Sequence, residues 1–249
     1  VIQKYLITLY NKSVKEANEL NLTEMLQDEM KREFLEAEEA QGFPPASKDQ
    51  MIEFFYDGVK ILQYLTAHQS EYFKKKDHSL LGIELDLNTT FENNVGFIGY
   101  LDIVLLNEKT QKIKIVDLKT STNGWNKYQK ADKNKTNQLL MYKHFYSKLY
   151  NIALKDIEVE FLIVKRKLYD NVDYYQKRFQ KVVPASGNVS INKVLRDFEV
   201  FLDSVFNEDG QYNTEREYLP IAGKNNKNCK WCEFSDMHEH CDPKERIKE

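Results

Sequence analysis

Three residues whose types suit phosphodiester hydrolysis lie in two apolar stretches near the middle of the chain. Asp102 falls within residues 97–106, and Asp117 and Lys119 lie at the end of the stretch that begins at residue 112. Since side chains alternate along a β-strand, Asp117 and Lys119 would point to one face, and Asp102 on the neighbouring strand could point the same way. A buried charge is costly unless it is paired or binds a metal, so each acid needs a role there.

The chemistry that this set suits is metal-dependent hydrolysis. Carboxylates are ligands that Mg²⁺ and Mn²⁺ prefer, and the bound ion contacts phosphate oxygens, acidifies a water and offsets charge that develops on the phosphate. Lys119, two residues from a metal ligand, could position or deprotonate that water, or stabilise the transition state as a cation. Glu84, flanked by apolar residues, is a third acid that could bind the metal directly or through a water.

Other polar residues could bind nucleic acid. Gln138 and Tyr142 are four positions apart, so they would share one helix face and could contact a nucleic-acid backbone or an acid side chain. Two groups of basic residues flank the acids, and such groups either bind phosphate or form a solvated surface. The first group is Lys127, Lys130, Lys133 and Lys135, and the second is Lys165, Arg166 and Lys167.

The composition is that of a globular protein with one substantial core. Hydrophobic residues make up 41% of the 249 residues and charged residues 30%. No apolar run approaches the roughly 18 residues that a membrane span requires. The net charge of −3 gives no general attraction to nucleic acid, so binding would depend on local basic groups. We therefore expect a cytoplasmic protein whose three cysteines are metal ligands or free thiols.

The spacing of apolar residues predicts the elements that would hold these side chains. Residues 1–80 have helical spacing, interrupted at 42–45, with Ser47 as a capping residue. Strand-like runs cover residues 81–87, 97–106, 112–118, 157–164 and 174–182, and a turn at 107–110 joins the second to the third. Helical spacing returns at 134–150 and 189–206. This order predicts an α/β sheet flanked by helices in a single domain. The domain would comprise a helical lobe at 1–80, a core at 81–206 and a cysteine-containing tail at 207–249.

The order of the polar motifs resembles the RecB-like branch of the PD-(D/E)XK nuclease superfamily, which has a mixed central sheet flanked by helices. Four motifs carry the resemblance, namely Glu84 in a strand, Gly99-x-x-Asp102, Asp117-x-Lys119-Thr120 and Gln138-x-x-x-Tyr142. The resemblance covers residues 81–164. The segment after Lys119 and the lysine-rich loop before Gln138 look most like phage-type members.

The resemblance implies a Mg²⁺- or Mn²⁺-dependent deoxyribonuclease. Asp102 and Asp117 would be metal ligands, Lys119 the catalytic lysine and Glu84 an auxiliary acid near the metal. Gln138 and Tyr142 would contact DNA or order the site. We expect an exonuclease that acts on linear DNA ends, which could be single-stranded, in phage or cellular recombination or repair. The alternatives are a structure-selective or sequence-specific endonuclease on the same core, and a non-catalytic DNA-binding module with a decayed site.

The three cysteines predict a second, structural metal site. Cys229 and Cys232 form a C-x-x-C motif, and Cys241 follows closely. His238 or His240 could complete a Cys₃His zinc site. The resemblance offers the alternative of a 4Fe-4S cluster, which in some RecB-like nucleases uses three C-terminal cysteines and one from far upstream.

RecB-like members usually carry a further metal-binding histidine on an N-terminal helix. His68 does not lie at the matching place, and we interpret it as a surface histidine. The chain begins at Val1 within an amphipathic pattern, and the upstream cysteine is also missing. We therefore expect that the natural protein extends N-terminal of Val1 and that the extension holds the histidine and could also hold the cysteine.

Overall fold

The computed structural model describes residues 1–91 and 94–248 and begins with four helices. They are α1 (Ile2–Asn11), α2 (Val14–Asn18), α3 (Leu22–Gln41) and α4 (Lys48–Tyr72). Tyr5, Leu6 and Leu9 form a fully buried face of α1, as their helical spacing predicts. Ser47 caps α4 as expected, because its side chain accepts a hydrogen bond from Gln50 N and the Gln50 side chain binds Ser47 N in return.

A mixed sheet of five strands follows, in the spatial order β1-β2-β3-β4-β5. The strands are β1 (His78–Thr90), β2 (Gly96–Asn107), β3 (Lys112–Ser121), β4 (Ile157–Lys165) and β5 (Phe179–Val182). Only β3 and β4 are parallel, and the other neighbours are antiparallel. The expected turn joins β2 to β3, with the Asn107 side chain accepting hydrogen bonds from Lys109 N and Thr110 N. The predicted fold class is therefore confirmed.

Three more helices complete the part that surrounds the sheet. Because parallel strands need a crossover, the chain runs from β3 to β4 through α5 (Lys127–Lys130) and α6 (Lys133–Tyr150). Helix α7 (Asn188–Val205) follows β5. Helices α6 and α7 agree with the two helical segments predicted beyond the third strand, whereas α5 lies where the sequence predicted a loop.

The sheet separates two apolar cores. The first lies between the N-terminal helices and one face of the sheet, and it includes Leu65, Ile103 and Val116. The second lies against α6 on the other face, and it includes Leu139 and Phe161. Both faces of the sheet are covered, which explains why β3 and β4 read as apolar runs without clear alternation.

Some boundaries differ from those predicted. Strand β5 is shorter than the expected 174–182 because it pairs with β4 over only four positions, and Tyr175 instead contacts Tyr64 and His68 of α4. Strand β1 extends beyond the expected 81–87 because it pairs with β2 along almost all of its length. Helix α3 buries only Leu22, so most of its predicted apolar face stays accessible.

The chain divides into two compact units. One consists of Val1–Glu92 and Gly96–Phe198, and the other of Asn93–Val95 and Glu199–Glu249. The second unit contains short 3₁₀ turns at Lys224–Asn226 and Glu233–Asp236 and a bridge between Ile221 and Ile247. Within the described residues, none of the helices is both long enough and apolar enough to cross a membrane.

Candidate active site

Strands β2 and β3 stop pairing at the two aspartates. Their ladder runs from Asn107↔Lys112 to Ile103↔Val116, so Asp102 and Asp117 are the next residues on the two strands. The Asp102 carboxylate lies at the edge of β3, where its Oδ2 accepts a hydrogen bond of 2.6 Å from Leu118 N. The point at which the hairpin opens therefore holds both acids.

At Glu84 in β1 and Asp102 in β2, the alternation of side chains between the two faces of the sheet is interrupted. Ile83 and Ile103 are paired and pack in the first core, whereas Leu85 and Leu101 are paired and pack in the second. Residues two apart in a regular strand would share a face. Glu84 has a φ of 48°, in the left-handed region that non-glycine residues rarely adopt. The reversal sets Glu84 and Asp102 at a bend that simple alternation does not predict.

Asp117 is a buried acid with one cationic neighbour. Its exposed fraction is 3%, and its Oδ2 lies 2.8 Å from Lys119 Nζ. Apart from this ion pair, the buried oxygen has no hydrogen-bond partner among the described residues. Burial raises the pKa of Asp117, the nearby charge of Asp102 raises it further, and Lys119 opposes both. One lysine therefore does not compensate for the burial of this carboxylate.

Asp102 interacts electrostatically with Glu84, Asp117 and Lys119. Burial raises its pKa, while the hydrogen bond from Leu118 N and the charge of Lys119 lower it, and Glu84 raises it. Asp102 also lines an apolar cavity of about 840 Å³ between the N-terminal helices and the sheet. The acids and the lysine are thus neighbours, and the sharing of one ion by Asp102 and Asp117 stays a prediction.

Glu84 is held from the side of α1. It is exposed, and its Oε1 accepts a hydrogen bond of 2.9 Å from Gln3 Nε2. Sequence reasoning did not single out Gln3, because no local pattern connects it to an acid 81 residues away. Helix α1 therefore contributes a side chain to the surroundings of the site.

Tyr142 packs on the glycine of the Gly-x-x-Asp motif. A Cβ atom at Gly99 would lie 2.8 Å from Tyr142 Cε1, so only glycine leaves room for the ring. Gln138 Nε2 donates a hydrogen bond of 3.0 Å to the Tyr142 hydroxyl. Tyr142 is buried in the second core and Gln138 is exposed, so this hydrogen bond joins a core residue to a surface residue of α6.

The four lysines that were predicted to lie in a loop lie instead in α5 and in the first turn of α6, and they differ in their contacts. Lys127 lies over the Tyr128 ring, and Lys135 lies over Trp125 and 3.5 Å from Asp132. Lys130 and Lys133 have no ion-pair partner in the described part of the chain. In the second basic group, Arg166 and Lys167 form ion pairs with acids of α4, namely Glu53 and Asp57.

His68 is engaged in an aromatic contact. Its ring stacks on Tyr64 at 4.0 Å, its Nδ1 lies 3.1 Å from Tyr64 O, and its Nε2 lies 2.8 Å from the Tyr175 hydroxyl. Both ring nitrogens thus have protein partners, and the half-buried ring packs against Tyr64 and Tyr175.

The structure does not support the predicted metal site at the cysteines. Within residues 1–91 and 94–248, no group of three or more His, Cys, Asp and Glu side chains lies close enough to hold a metal, and this also applies to the three acids. Cys229, Cys232 and Cys241 are free thiols. The Arg246 guanidinium lies beside Cys241 and Cys229, where it donates to Cys241 O, and these cysteines raise its pKa. A cation is therefore a neighbour of two of the three thiols.

The acid pair, by contrast, fits a hard divalent cation. Asp117 provides a buried oxygen whose one charged neighbour in the described chain is Lys119, and Asp102 keeps one oxygen beyond the one that Leu118 N binds. Two carboxylates that share one lysine keep a net negative charge, and carboxylate oxygens are ligands that Mg²⁺ or Mn²⁺ takes together with waters and phosphate oxygens.

A mixed sheet that holds two acids and a lysine where a hairpin opens is the arrangement expected of a metal-dependent nuclease. Comparison with family models agrees, because the model for the PD-(D/E)XK nuclease superfamily matches residues 5–237. The chain belongs to this superfamily, whose members cleave nucleic acid and generally depend on Mg²⁺ or Mn²⁺. No curated protein matches the chain.

Proposed function

We propose that this chain is a Mg²⁺- or Mn²⁺-dependent DNA exonuclease of the RecB-like branch that acts on linear DNA ends. The observation that carries the proposal is the meeting of Asp102, Asp117 and Lys119 where β2 and β3 separate. The preference for ends comes from the resemblance of the ordered motifs to RecB-like exonucleases. The role would lie in phage or cellular DNA recombination or repair.

Asp102 and Asp117 hold the divalent ion in this proposal. When bound, the ion supplies Lewis-acid chemistry: it polarises the scissile phosphate and lowers the pKa of a water. The Leu118 N–H fixes the Asp102 carboxylate, and burial keeps Asp117 free of competing waters. Both acids are therefore oriented before substrate arrives.

Lys119 is the residue that acts on the reacting groups. Its side chain is about one-third exposed, and its ammonium lies 2.8 Å from Asp117 Oδ2. From there it can orient the attacking water or neutralise a phosphate oxygen in the transition state. Glu84, held by Gln3, would be an auxiliary acid near the ion.

The remaining predicted residues bind the strand. Gln138 presents its amide on the exposed side of α6, with its orientation fixed by Tyr142. Lys130 and Lys133 offer cations without acidic partners in the described chain, whereas Lys127 and Lys135 lie on aromatic rings. Contacts of this kind supply binding that depends on salt and not on base sequence.

End-labelled linear DNA and circular DNA, each incubated with Mg²⁺, Mn²⁺ or EDTA, test the proposal. We expect metal-dependent release of nucleotides from linear DNA and no cleavage of circular DNA. Cleavage of the circle would assign an endonuclease on the same core. Absence of cleavage with either metal, together with retained binding, would assign a non-catalytic module.

Two variants separate this activity from a contaminant. Asp117→Asn removes a buried charge from the site, and we expect loss of cleavage in both metals. Asp173→Asn is the matched control, because Asp173 is exposed and has no ion pair in the described part of the chain. Equal activity in the two variants would overturn the assignment of Asp117.

A further inference from the structure

A surface cavity of about 560 Å³ lies between α5, the start of α6, the segment after β5 and α7. Its floor is apolar, because Leu140 of α6 and Val194 of α7 line it and belong to the small cluster that joins these helices. A concave site with apolar walls concentrates the field of the charges around it. The charges at its edge therefore decide what the cavity attracts.

Four lysines line this cavity, and one of them, Lys181 of β5, already donates to Glu71 O. The other three come from three elements. Lys130 comes from α5, Lys133 begins α6 and Lys193 comes from α7, and all are exposed. None of them has an ion-pair partner among the residues that the structure describes. Asp197 is the one acid among the described lining residues, so cations exceed acids there. The cavity therefore suits an anion.

Uncharged donors accompany the lysines. Asn137 and Ser190 line the cavity and are half-buried, and their side chains form no hydrogen bond in the described part of the protein. Thr136 differs, because its hydroxyl already donates to backbone carbonyls of Asp132 and Lys133. An amide and a hydroxyl beside ammonium groups are the donors that phosphate oxygens accept.

Basic side chains link the cavity to the loop that follows β3, the strand that carries Asp117 and Lys119. Lys130 lies near enough to Lys165 for its charge to help lower the pKa of that lysine, after the larger effect of burial. The Lys165 side chain packs against Gly124, three residues beyond the end of β3. Positive charge thus extends from the loop after Lys119 to the cavity.

We propose that this cavity binds a phosphate group of the nucleic-acid strand that the nuclease cleaves. Lys133 and Lys193 contact the phosphate oxygens from α6 and α7, and Asn137 and Ser190 donate to them. That the phosphate belongs to a DNA strand rests on the proposed function. A terminal phosphate and an internal phosphodiester share this chemistry.

Binding of a labelled short single strand in EDTA, followed by fluorescence anisotropy over a range of salt concentrations, tests the site without cleavage. We expect the double variant Lys133→Ala/Lys193→Ala to bind about tenfold more weakly at low salt. The slope of log K against log salt should become shallower by about 0.7 for each phosphate that the variant no longer neutralises. Lys193→Gln, which removes the charge but keeps a polar side chain, should give a smaller effect in the same direction.

Lys148→Ala is the matched control. Lys148 is exposed in the last turn of α6, roughly 22 Å along the helix from Lys133 at 1.5 Å per residue, and it has no ion-pair partner in the described chain. An affinity and salt slope of the double variant equal to those of this control would overturn the proposal. Thermal melts of all variants identify any that fails to fold, and Lys193→Gln then carries the comparison.

Strands with a phosphate at the 5′ end, at the 3′ end or at neither end identify the source of the phosphate. A weakening confined to one phosphorylated strand assigns a terminal phosphate, and an equal weakening on all three assigns an internal one. Cleavage by the unaltered protein in Mg²⁺ or Mn²⁺ is measured separately. Failure of the proposed function would appear there, whereas failure of this site would appear in the metal-free binding.

Discussion

The acids where β2 and β3 separate and the cysteines near the C-terminus are both predicted from the sequence to hold a cation, but the chain arranges them differently. Asp102 and Asp117 are brought together by the register of a hairpin. Cys229 and Cys232 are near in sequence, but they lie in a segment of short turns with Arg246 beside Cys229. Close spacing in sequence is therefore weaker evidence for a site than strand register.

Burial separates the two regions further. Asp117 has an exposed fraction of 3% and, apart from its ion pair with Lys119, a buried oxygen without a hydrogen-bond partner among the described residues, so its charge gains from a bound cation. Cys232 is exposed, and the other two cysteines are only partly buried. Four predictions test this contrast, from the largest expected effect to the smallest.

Substitution of Lys119 should have the largest effect. We expect Lys119→Ala to lower the cleavage rate by about 10²–10⁴-fold, because the ammonium acts on groups that react. Binding of DNA in EDTA should survive, since other lysines supply ground-state contacts. Single-turnover cleavage and anisotropy measure the two effects, and an equal decrease in both would contradict the role of Lys119.

Addition of one methyl group at Gly99 should disturb the site through Tyr142. The new Cβ would lie 2.8 Å from the ring, so Gly99→Ala should lower the free energy of unfolding by about 1–3 kcal/mol. Gly96→Ala in the same strand is the control, because nothing lies within 4 Å of a Cβ there. Denaturant titration of both variants measures the difference. Equal stabilities would show that the Tyr142 ring can move away from the new methyl group without a cost in stability.

Neutralising Asp117 should stabilise the metal-free protein at neutral pH. Burial raises the pKa of Asp117, so its contribution to stability is fully present below the ordinary Asp pKa and is lost as pH rises through the raised value. In EDTA at pH 7, the free energy of unfolding of Asp117→Asn should therefore be about 1 kcal/mol higher than that of the unaltered protein.

Melting in EDTA from acid to neutral pH measures this effect, with the advantage of the variant growing as pH rises. Mg²⁺ should raise the melting temperature of the unaltered protein and leave that of Asp117→Asn unchanged. A variant that responds equally to Mg²⁺ would exclude Asp117 as a ligand.

Replacement of the cysteines should have the smallest effect. Because the described residues form no metal group at Cys229, Cys232 or Cys241, their triple serine variant should keep its cleavage rate and melting temperature. Metal analysis of the purified protein should find neither zinc nor iron. If the unaltered protein contained stoichiometric zinc or iron and the variant did not, the cysteines would bind a metal and the difference from the acid pair would be wrong.

The sequence is sufficient for the fold because its apolar patterns are long and regular. The buried face of α1 and the β3 and β4 runs follow from spacing alone, as does the cap at Ser47. Strand ends are less predictable, since β5 ends where pairing with β4 ends and not where its apolar residues do.

The surroundings of the candidate site are harder to predict. Asp102, Asp117 and Lys119 could be chosen from their types and spacing, but the reversal of faces at Glu84 requires a left-handed residue that no local signal indicates. The Gln3–Glu84 hydrogen bond and the packing of Tyr142 on Gly99 connect distant parts of the chain. Contacts of this kind depend on tertiary structure, which spacing within one element does not encode.

The reversal of faces at Asp102 also has a consequence for folding. Ile103 belongs to one apolar core and Leu101 to the other, so the backbone that carries Asp102 is fixed only when both cores have formed. A folding intermediate with a single core would present Asp117 without its partner acid and would not assemble the metal site. Nuclease activity would then appear only in the last stage of folding, and a partly folded chain would be harmless to DNA.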